Sequence, residues 1–324
     1  MTRKSNRIII SFLIFIFNIF ILIFPRNMVG AARNGLNLWL TNVFPALFPF
    51  VFGVNILLGI GVISYIGKRL ERIMSSFFGV PGAGGFAMVV GFTSGYPIGA
   101  KVVAELRERE EITKTQAERL LSFCNNSGPL FILGTVGASM FSDIRLGYFV
   151  LIVHYISAIV TGFLFKYYKY NKDEKFNFKN KIKKQENRVT NFYAFFGDSI
   201  VKSVQTMLAI GGFIILFSVI IEIVKISRIL ENIETIFGQA FVGTIFGLIE
   251  VTNGASYLSQ IGNINMQVAI STSVIVSFAG MSIHAQSINF ISKTDINIKI
   301  YFIGKIIHAL IAICIGIGMF RFFF

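Results

Sequence analysis

The sequence contains few charged residues and few cysteines. Only 14% of its 324 residues are Asp, Glu, Lys or Arg, whereas a soluble domain carries about 25%, which argues against a soluble globular class. Its two cysteines, Cys124 and Cys314, lie in separate apolar segments, which argues against a disulfide framework and against a zinc site with paired ligands. The chain also lacks a G-x-S-x-G nucleophile turn, a His-Glu metal helix and a P-loop. We therefore expect neither an enzyme nor a bound metal or cofactor.

Long apolar runs make up most of the chain. Hydrophobic residues account for 54% of it, and its mean hydropathy is +0.70. A helix needs about 20 mostly apolar residues to cross a bilayer core. By this measure, plain spans lie at 8–24, 43–66, 146–165, 204–224 and 300–320, and interrupted spans lie at 120–141 and 266–291. This pattern predicts an all-α polytopic membrane protein with seven crossings.

A glycine-rich apolar pattern with a small polar tip occurs twice, at 77–101 and 236–258. A shift of 159 positions pairs Phe78, Gly79, Gly84, Thr93 and Gly95 with Phe237, Gly238, Gly243, Thr252 and Gly254. Each stretch can enter and leave a membrane without crossing it, and each precedes an interrupted span. Interrupted segments at matching places of two halves are the best sequence indication of a transporter binding site. We therefore predict an inverted repeat with two re-entrant hairpins and two broken transmembrane helices.

The basic residues predict the orientation. An N-terminus inside the cell places 24 of the 30 Lys and Arg on the cytoplasmic side, including Lys202, Lys293, Lys299 and Lys305, as the positive-inside rule requires. The predicted organisation is an N-terminal transmembrane helix at 1–34, a first repeat at 35–165, a basic cytoplasmic loop at 166–196 and a second repeat at 197–324. Most of the +14 net charge then reports topology.

Two of these segments have alternative interpretations. The basic run at 166–188 is also compatible with binding to anionic lipid or nucleic acid, although basic loops beside a membrane are common and we expect no nucleic acid. The first span resembles a signal peptide, because small residues at 29–31 follow its apolar run. The length of that run and the charge balance favour a retained helix.

Candidate binding residues lie at the two hairpin tips. Thr93, Ser94 and Gly95 form the first tip, and Thr252, Asn253 and Gly254 form the second. Glycine allows the backbone to turn there, and hydroxyl, amide and free N–H groups can bind a polar ligand. The alternative is that these residues only cap the hairpin helices.

The two interrupted spans supply a second set of candidates. Pro129 removes a backbone donor beside Gly128, so the preceding residues Asn125, Asn126 and Ser127 are expected at a helix break. Ser282 and His284 lie in the equivalent span of the second half. A kink satisfied by neighbouring helices, or a histidine that only packs, would produce the same pattern; His154 and His308 lie in plain spans.

Two charged residues belong to the hairpins. Glu250 is the acidic residue of the second hairpin, and it would either couple transport to an ion or proton, or pair with a helix start. Lys101 ends the first hairpin, where it would either attract an anionic solute or extend towards the cytoplasm.

The segment GFTSGYPIGAKVVAELREREEITKTQAERLLSFCNNSGPLFILGTVG at 91–137 resembles the signature of YlbJ-type sporulation integral membrane proteins. These belong to the nucleoside-recognition, or Gate, domain group, which is similar in fold to concentrative nucleoside transporters. The resemblance implies export of dipicolinic acid from the mother cell across the outer forespore membrane during endospore formation. It also implies that the first tip and the break at 125–127 line the substrate path.

These observations favour a carrier in the outer forespore membrane or the cell membrane. Its expected partners are a small anionic solute, membrane lipid and, as an open question, further copies of the chain. Dipicolinate fits the predicted site, because helix starts and asparagines hold carboxylates and phenylalanines flank a ring. The alternatives are a cation-coupled nucleoside transporter and a gating or scaffold protein that transports nothing.

Overall fold

The first half of the chain folds into eight α-helices and three π-helical segments. The computed structural model describes residues 3–60, 62–169 and 192–324, so most of the predicted basic loop lies outside the described residues. The elements are α1 (Arg3–Ile23), α2 (Pro25–Leu38), the π-helical segment Trp39–Val43, α3 (Phe44–Gly59), α4 (Val62–Ile73), the π-helical segment Met74–Phe78, α5 (Ala83–Thr93), α6 (Ile98–Glu108), α7 (Lys114–Phe123), the π-helical segment Leu130–Met140 and α8 (Ile144–Phe165).

The second half contains seven α-helices in a similar order. They are α9 (Phe192–Ile226), α10 (Ile229–Phe237), α11 (Gln239–Ile249), α12 (Val251–Ser259), α13 (Met266–Phe278), α14 (Gly280–Ile291) and α15 (Ile298–Phe323). Helix α9 begins before residue 197, where the sequence pattern ended the loop. All regular elements within the described ranges are helical, so the all-α prediction is confirmed.

Polar residues begin several of these helices. The Thr113 hydroxyl accepts the Gln116 N–H at the start of α7, and the Gln116 side chain accepts the Thr113 N–H in return. Asp143 accepts the Arg145 N–H at 2.8 Å at the start of α8. Such caps satisfy N–H groups that have no partner within the helix. These caps therefore fix where α7 and α8 begin after the turns that precede them.

Within the described residues, four helices are long and apolar enough to cross a membrane, and up to six spans result if each of two bent helix pairs counts as one. The four are Ile144–Phe165, Tyr193–Ile226, Met266–Ile291 and Ile298–Phe323. Seven crossings were predicted, and two of the predicted spans are divided. The span at 43–66 separates into α3 and α4 near Gly59, and the span at 120–141 separates at the non-helical residues 124–128.

Both predicted hairpins form pairs of packed helices. Helices α5 and α6 pack together, as do α11 and α12. In the first hairpin, Gly91 and Gly99 face the Cys124 carbonyl so closely that an added Cβ would lie 1.7 Å and 2.0 Å from that oxygen. The absence of a side chain at these two positions lets both hairpin helices pack directly against the backbone at the end of α7.

The two halves pack against each other through equivalent elements. Helix α8 lies along α15, α7 packs on α15, and α13 packs on α8. Hairpin helix α6 contacts α14, and α12 contacts Leu130–Met140. Each interrupted span therefore contacts elements of the opposite half, which brings both breaks to the centre of the molecule.

Charged side chains of several elements form hydrogen bonds with one another and with backbone groups at one end of the molecule. Arg107 forms a bidentate pair with Asp295, at 2.8 and 3.0 Å, and this guanidinium holds the pKa of the Asp295 carboxyl below its usual value. Arg119 donates to the Tyr168 carbonyl at 3.0 Å, and the Asn297 N–H donates to Glu118 at 3.1 Å. Residues 107–119, 168–169 and 295–297 thus lie together at one end of the molecule.

Candidate functional site

A cavity at the centre of the molecule collects both hairpin tips and both interrupted spans. Its lining includes Thr93, Ser94, Gly95, Tyr96, Ser127, Gly128, Phe131, Glu250, Thr252, Ile283 and Gln286, together with apolar residues of the Trp39–Val43 segment, α3 and α9. These elements lie far apart in the sequence. The first tip thus shares one cavity with Glu250 and Thr252 of the second hairpin, whereas Asn253 and Gly254 are not part of its lining.

The first tip rests directly on the first break. Thr93 ends α5, and Gly95 has φ +83°, in the left-handed region that favours glycine. A Cβ at Gly95 would lie 2.6 Å from the Gly128 nitrogen, so the two backbones touch. The Thr93 hydroxyl bonds back to the Val89 carbonyl at 2.8 Å. Thr93, Ser94 and Gly95 therefore form the turn that the sequence predicts.

The second tip is centred on Glu250 and differs from the predicted one. Glu250 caps α12, because its carboxylate accepts the N–H groups of Thr252 and Asn253 at 3.1 and 2.8 Å, and the Asn253 amide at 2.8 Å. Gly254 lies inside α12, and a Cβ there would be 2.2 Å from Gly247. Gly254 thus permits close packing of two helices rather than a turn. The geometry matches pairing of Glu250 with a helix start, and ion coupling stays a prediction.

Four helices begin beside this cavity. They are α6, Leu130–Met140, α12 and α14, and residues just before or within the first turn of each line the cavity. The N-terminal N–H groups and the helix dipole favour a bound anion. At α12 this position is taken by the Glu250 carboxylate. The other three N-termini lack an acidic cap, and among the described lining residues Glu250 is the one charged side chain.

Two buried hydroxyl groups in the lining lie next to each other. The Tyr96 and Ser127 hydroxyls are shielded from solvent and interact with each other, but within the described structure neither reaches good hydrogen-bond geometry with any partner. A buried polar group without a partner costs about 1–3 kcal/mol, so such groups call for an explanation such as a ligand. These two hydroxyls are therefore the best placed side chains for binding a polar solute.

Asn125 connects helices and does not line the cavity. Its amide donates to the Ser287 hydroxyl at 2.9 Å and to Tyr301 at 3.0 Å, and its side-chain oxygen accepts the Ala100 N–H at 3.3 Å. Its backbone carbonyl accepts the Lys305 ammonium. Lys305 is fully buried and not at the cytoplasmic surface, where the charge pattern put it. Asn125 thus joins α6, α14 and α15 around the break.

Asn126 and Ser127 complete the break differently. The Asn126 amide donates to the Phe123 carbonyl at 2.6 Å, and its Oδ1 has no partner within the described structure. The Ser127 N–H donates to His154 Nε2 at 3.0 Å, so His154 Nδ1 carries the proton and faces the Ser277 hydroxyl at 3.0 Å. His308 stacks on His154 with ring centroids 4.8 Å apart. Both plain-span histidines therefore support the break.

The two candidates of the second interrupted span lie behind the cavity wall. His284 is buried, its Nδ1 faces Tyr301 Oη at 2.9 Å, and its Nε2 has no partner in the described structure. The Ser282 hydroxyl accepts the Gln286 amide at 3.3 Å. Gln286 reaches the lining instead. The sequence interpretation did not name Tyr96 as a candidate, although Tyr96 belongs to the first hairpin that it selected.

Comparison with known proteins adds the family. A family model described as nucleoside recognition, or Gate, matches residues 40–165. A curated relative, sporulation integral membrane protein YlbJ of Bacillus subtilis (strain 168), is 32% identical over 96% of this chain and 82% of its own length. The chain belongs to the YlbJ family of sporulation integral membrane proteins. No solved structure matches it at a significant level.

For this YlbJ-family member, the Gate match has a clear structural meaning. It begins in the Trp39–Val43 segment and ends with α8, so it contains the first tip, the first break and His154. Glu250 and Gln286 lie beyond it. The family resemblance predicted from 91–137 is confirmed, and the cavity combines this matched region with residues of the second half.

Proposed function

We propose that the protein is a membrane carrier for a small anionic aromatic solute, with dipicolinic acid as its substrate during endospore formation. The observation that carries this proposal is the convergence of four helix N-termini on one central cavity, three of them without an acidic cap. Two carboxylates on one ring would bind these N-termini. In this proposal the protein moves the solute without altering it chemically.

The lining also suits an aromatic ring. Phe50 and Phe131 contribute aromatic surface, and Leu47, Ile210 and Ile214 contribute aliphatic surface. Such residues would cover the faces of a pyridine ring, while the hydroxyls of Tyr96 and Ser127 would bind its polar edge. The sporulation role in the relative's name agrees with a substrate that belongs to spores.

Alternating access in this proposal depends on an inverted repeat. Its support is the repeated order of long helix, short helix, hairpin, interrupted span and long helix in the two halves. Two further observations agree with it. The paired glycines Gly79 and Gly238 both have positive φ, at 62° and 82°, and the contacts of α7 with α15 and of α13 with α8 are reciprocal.

The proposed setting is the outer forespore membrane, with the basic end of the molecule in the cytoplasm of the mother cell. The grouping of residues 107–119, 168–169 and 295–297 at one end supports this orientation, since basic residues favour the cytoplasmic side. The hairpins then enter the membrane from opposite faces, and their tips meet near its middle.

A nucleoside is the second candidate substrate. The matching family model carries the description nucleoside recognition, and Glu250 and Gln286 offer acceptors for ribose hydroxyls. The carboxylate of Glu250 is already engaged by Thr252 and Asn253, which favours the anion.

Reconstitution tests the proposal. Proteoliposomes with the full chain should take up radiolabelled dipicolinate faster than protein-free vesicles, and unlabelled uridine should not compete. Uptake of uridine with no effect of dipicolinate would replace the anion by the nucleoside. No movement of either solute, with correctly inserted protein, would favour the gating or scaffold role.

A further inference from the structure

A second cavity lies beside the first, between the same three helices α6, α9 and α14. The central cavity is lined by Pro97, Ile210 and Gln286 of this groove. The second cavity is lined by Lys101, Thr206 and Asn289, at three or four residues from each of those positions. A helical turn contains 3.6 residues, so the two cavities occupy successive turns of one groove.

The second cavity has a different chemical character. Three lysines line it. They are Lys101 of α6, Lys202 of α9 and Lys293, which lies just after the end of α14. Glu105 and Glu108 are its acidic residues, and Glu105 is shared with Arg109 at 3.7 Å. Lys202 and Lys293 are exposed and have no ion-pair partner among the described residues. We call this cavity the basic vestibule.

Lys101 lies on the side of the vestibule nearer to the central cavity. Its side chain is buried, with the residue 7% exposed, and its ammonium donates to Asn55 Oδ1 at 2.8 Å and lies 3.8 Å from Glu105. Asn55 in turn donates to the Ser203 hydroxyl at 2.8 Å. This chain of contacts fixes one buried cation where α3, α6 and α9 meet. Lys202 and Lys293 are close enough to act electrostatically on it.

We propose that the basic vestibule is a second binding site for the anionic solute, through which the solute passes between the central cavity and the basic end of the molecule. The inference rests on the proposed function and adds the route and the residues Lys101, Lys202 and Lys293. A lysine ammonium is a compact, strongly hydrated charge, so it attracts a carboxylate without holding it rigidly. Clustered charge in a cleft also raises the local concentration of the opposite ion.

The test compares Lys202→Gln, Lys293→Gln and the double variant with Lys299→Gln in full-length protein. Lys299 is an exposed lysine near the same end that does not line the vestibule. In proteoliposomes at low salt, the double variant should move dipicolinate roughly fivefold to tenfold more slowly, within the range expected of electrostatic steering. The difference should shrink near 1 M salt, where the Debye length is about 3 Å. The Lys299→Gln variant should match the unmodified protein.

A protection experiment tests binding independently of transport. In detergent, dipicolinate should protect Lys202 and Lys293 from a water-soluble amine-acylating reagent, with no protection of Lys299, as read by mass spectrometry. Equal labelling of all three lysines with and without dipicolinate would overturn the vestibule site. Equal slowing by Lys299→Gln would also overturn it, since surface charge alone would then suffice. Unmodified protein that moves no dipicolinate refutes the proposed function, while the protection result still decides whether the vestibule binds anions.

Discussion

At the scale of single residues, the structure distinguishes buried polar groups whose hydrogen bonds join helices from buried polar groups that have no hydrogen bond of good geometry. Asn125 has a partner for its amide and for its side-chain oxygen, whereas the Ser127 hydroxyl has none in the described structure. The two residues are neighbours at one break and have the same degree of burial. We therefore expect replacement of Ser127 to affect binding and replacement of Asn125 to affect stability.

Replacing Ser127 by alanine should weaken dipicolinate binding about tenfold, because one unpartnered hydroxyl that faces the cavity is lost, and a hydrogen bond to a charged group contributes about 1.5–3 kcal/mol. Thermal stability should fall little, since the Ser127 hydroxyl has no hydrogen bond of good geometry within the described structure and loses its contact with the Tyr96 hydroxyl. Equilibrium dialysis with radiolabelled dipicolinate measures the effect. Ser157→Ala is the matched control, because that buried hydroxyl bonds to its own helix at Val153. Unchanged affinity in Ser127→Ala would remove this hydroxyl from the site.

Replacing Asn125 by alanine should lower the free energy of unfolding by roughly 2–4 kcal/mol, because several buried groups lose a hydrogen bond. The Ala100 N–H loses its acceptor, and the hydroxyls of Ser287 and Tyr301 each lose the Asn125 amide, although Tyr301 keeps its contact with His284. Asn126→Ala should cost less, since the Asn126 amide bonds only to the nearby Phe123 carbonyl. Thermal unfolding in detergent, followed through the single tryptophan Trp39, compares them. An Asn125→Ala protein of normal stability that fails to bind would instead make this residue a ligand contact.

At the scale of elements, the site depends on how the first hairpin tip seats against the first break. Gly95 and Gly128 touch through their backbones, so the helix starts of α6 and of Leu130–Met140 are held side by side. The position of these two N-termini is a property of the contact, and neither element would provide it alone.

Replacing Gly95 by alanine should therefore abolish dipicolinate uptake and lower the unfolding temperature. The new Cβ would meet backbone at 2.6 Å, and the residue has φ +83°, which costs roughly 1–2 kcal/mol for a residue with a side chain. Gly134→Ala is the matched control, because its nearest contact would be the Leu130 side chain at 3.7 Å. Normal uptake by Gly95→Ala would show that the tip adjusts freely and does not position the helix starts.

At the scale of the whole molecule, α8 runs from one end of the protein to the other. With 22 residues and a rise of about 1.5 Å per residue it is about 33 Å long, close to the bilayer core of about 30 Å. Arg145 lies at its start, and Lys166 follows its end. Residues 107–119 and 295–297, which lie near Tyr168 and Lys169, are therefore at the end opposite to Arg145.

Single cysteines at positions 114 and 299 should react with a membrane-impermeant maleimide from the cytoplasmic face, and a cysteine at 145 should react from the other face. The native residues at these positions are exposed, and the background would carry alanine in place of Cys124 and Cys314. Labelling of right-side-out and inverted vesicles measures this, and permeabilised vesicles control for reactivity. Reaction of positions 114 and 145 from one face would contradict a crossing by α8.

Much of the architecture follows from local sequence patterns. Apolar runs of sufficient length predict helices wherever they occur, and the turn at Thr93, Ser94 and Gly95 requires only a glycine after a polar pair. The break at 124–128 follows from Pro129, which cannot donate a backbone hydrogen bond. The second tip was placed too late because glycine also permits close helix packing, and sequence alone does not distinguish the turn expected at Gly254 from its contact with Gly247.

The sequence by itself determined the helical class, the membrane setting, the two hairpins and the breaks, because each depends on hydrophobicity and backbone chemistry within a short segment. Only the tertiary structure decided which polar groups face the cavity. Asn125 and Ser127 lie two positions apart at the same break, yet packing by α6, α14 and α15 satisfies the first, while the Ser127 hydroxyl lies beside the cavity next to the Tyr96 hydroxyl. Whether a buried polar group has a partner depends on residues more than a hundred positions away, and no local pattern contains that information.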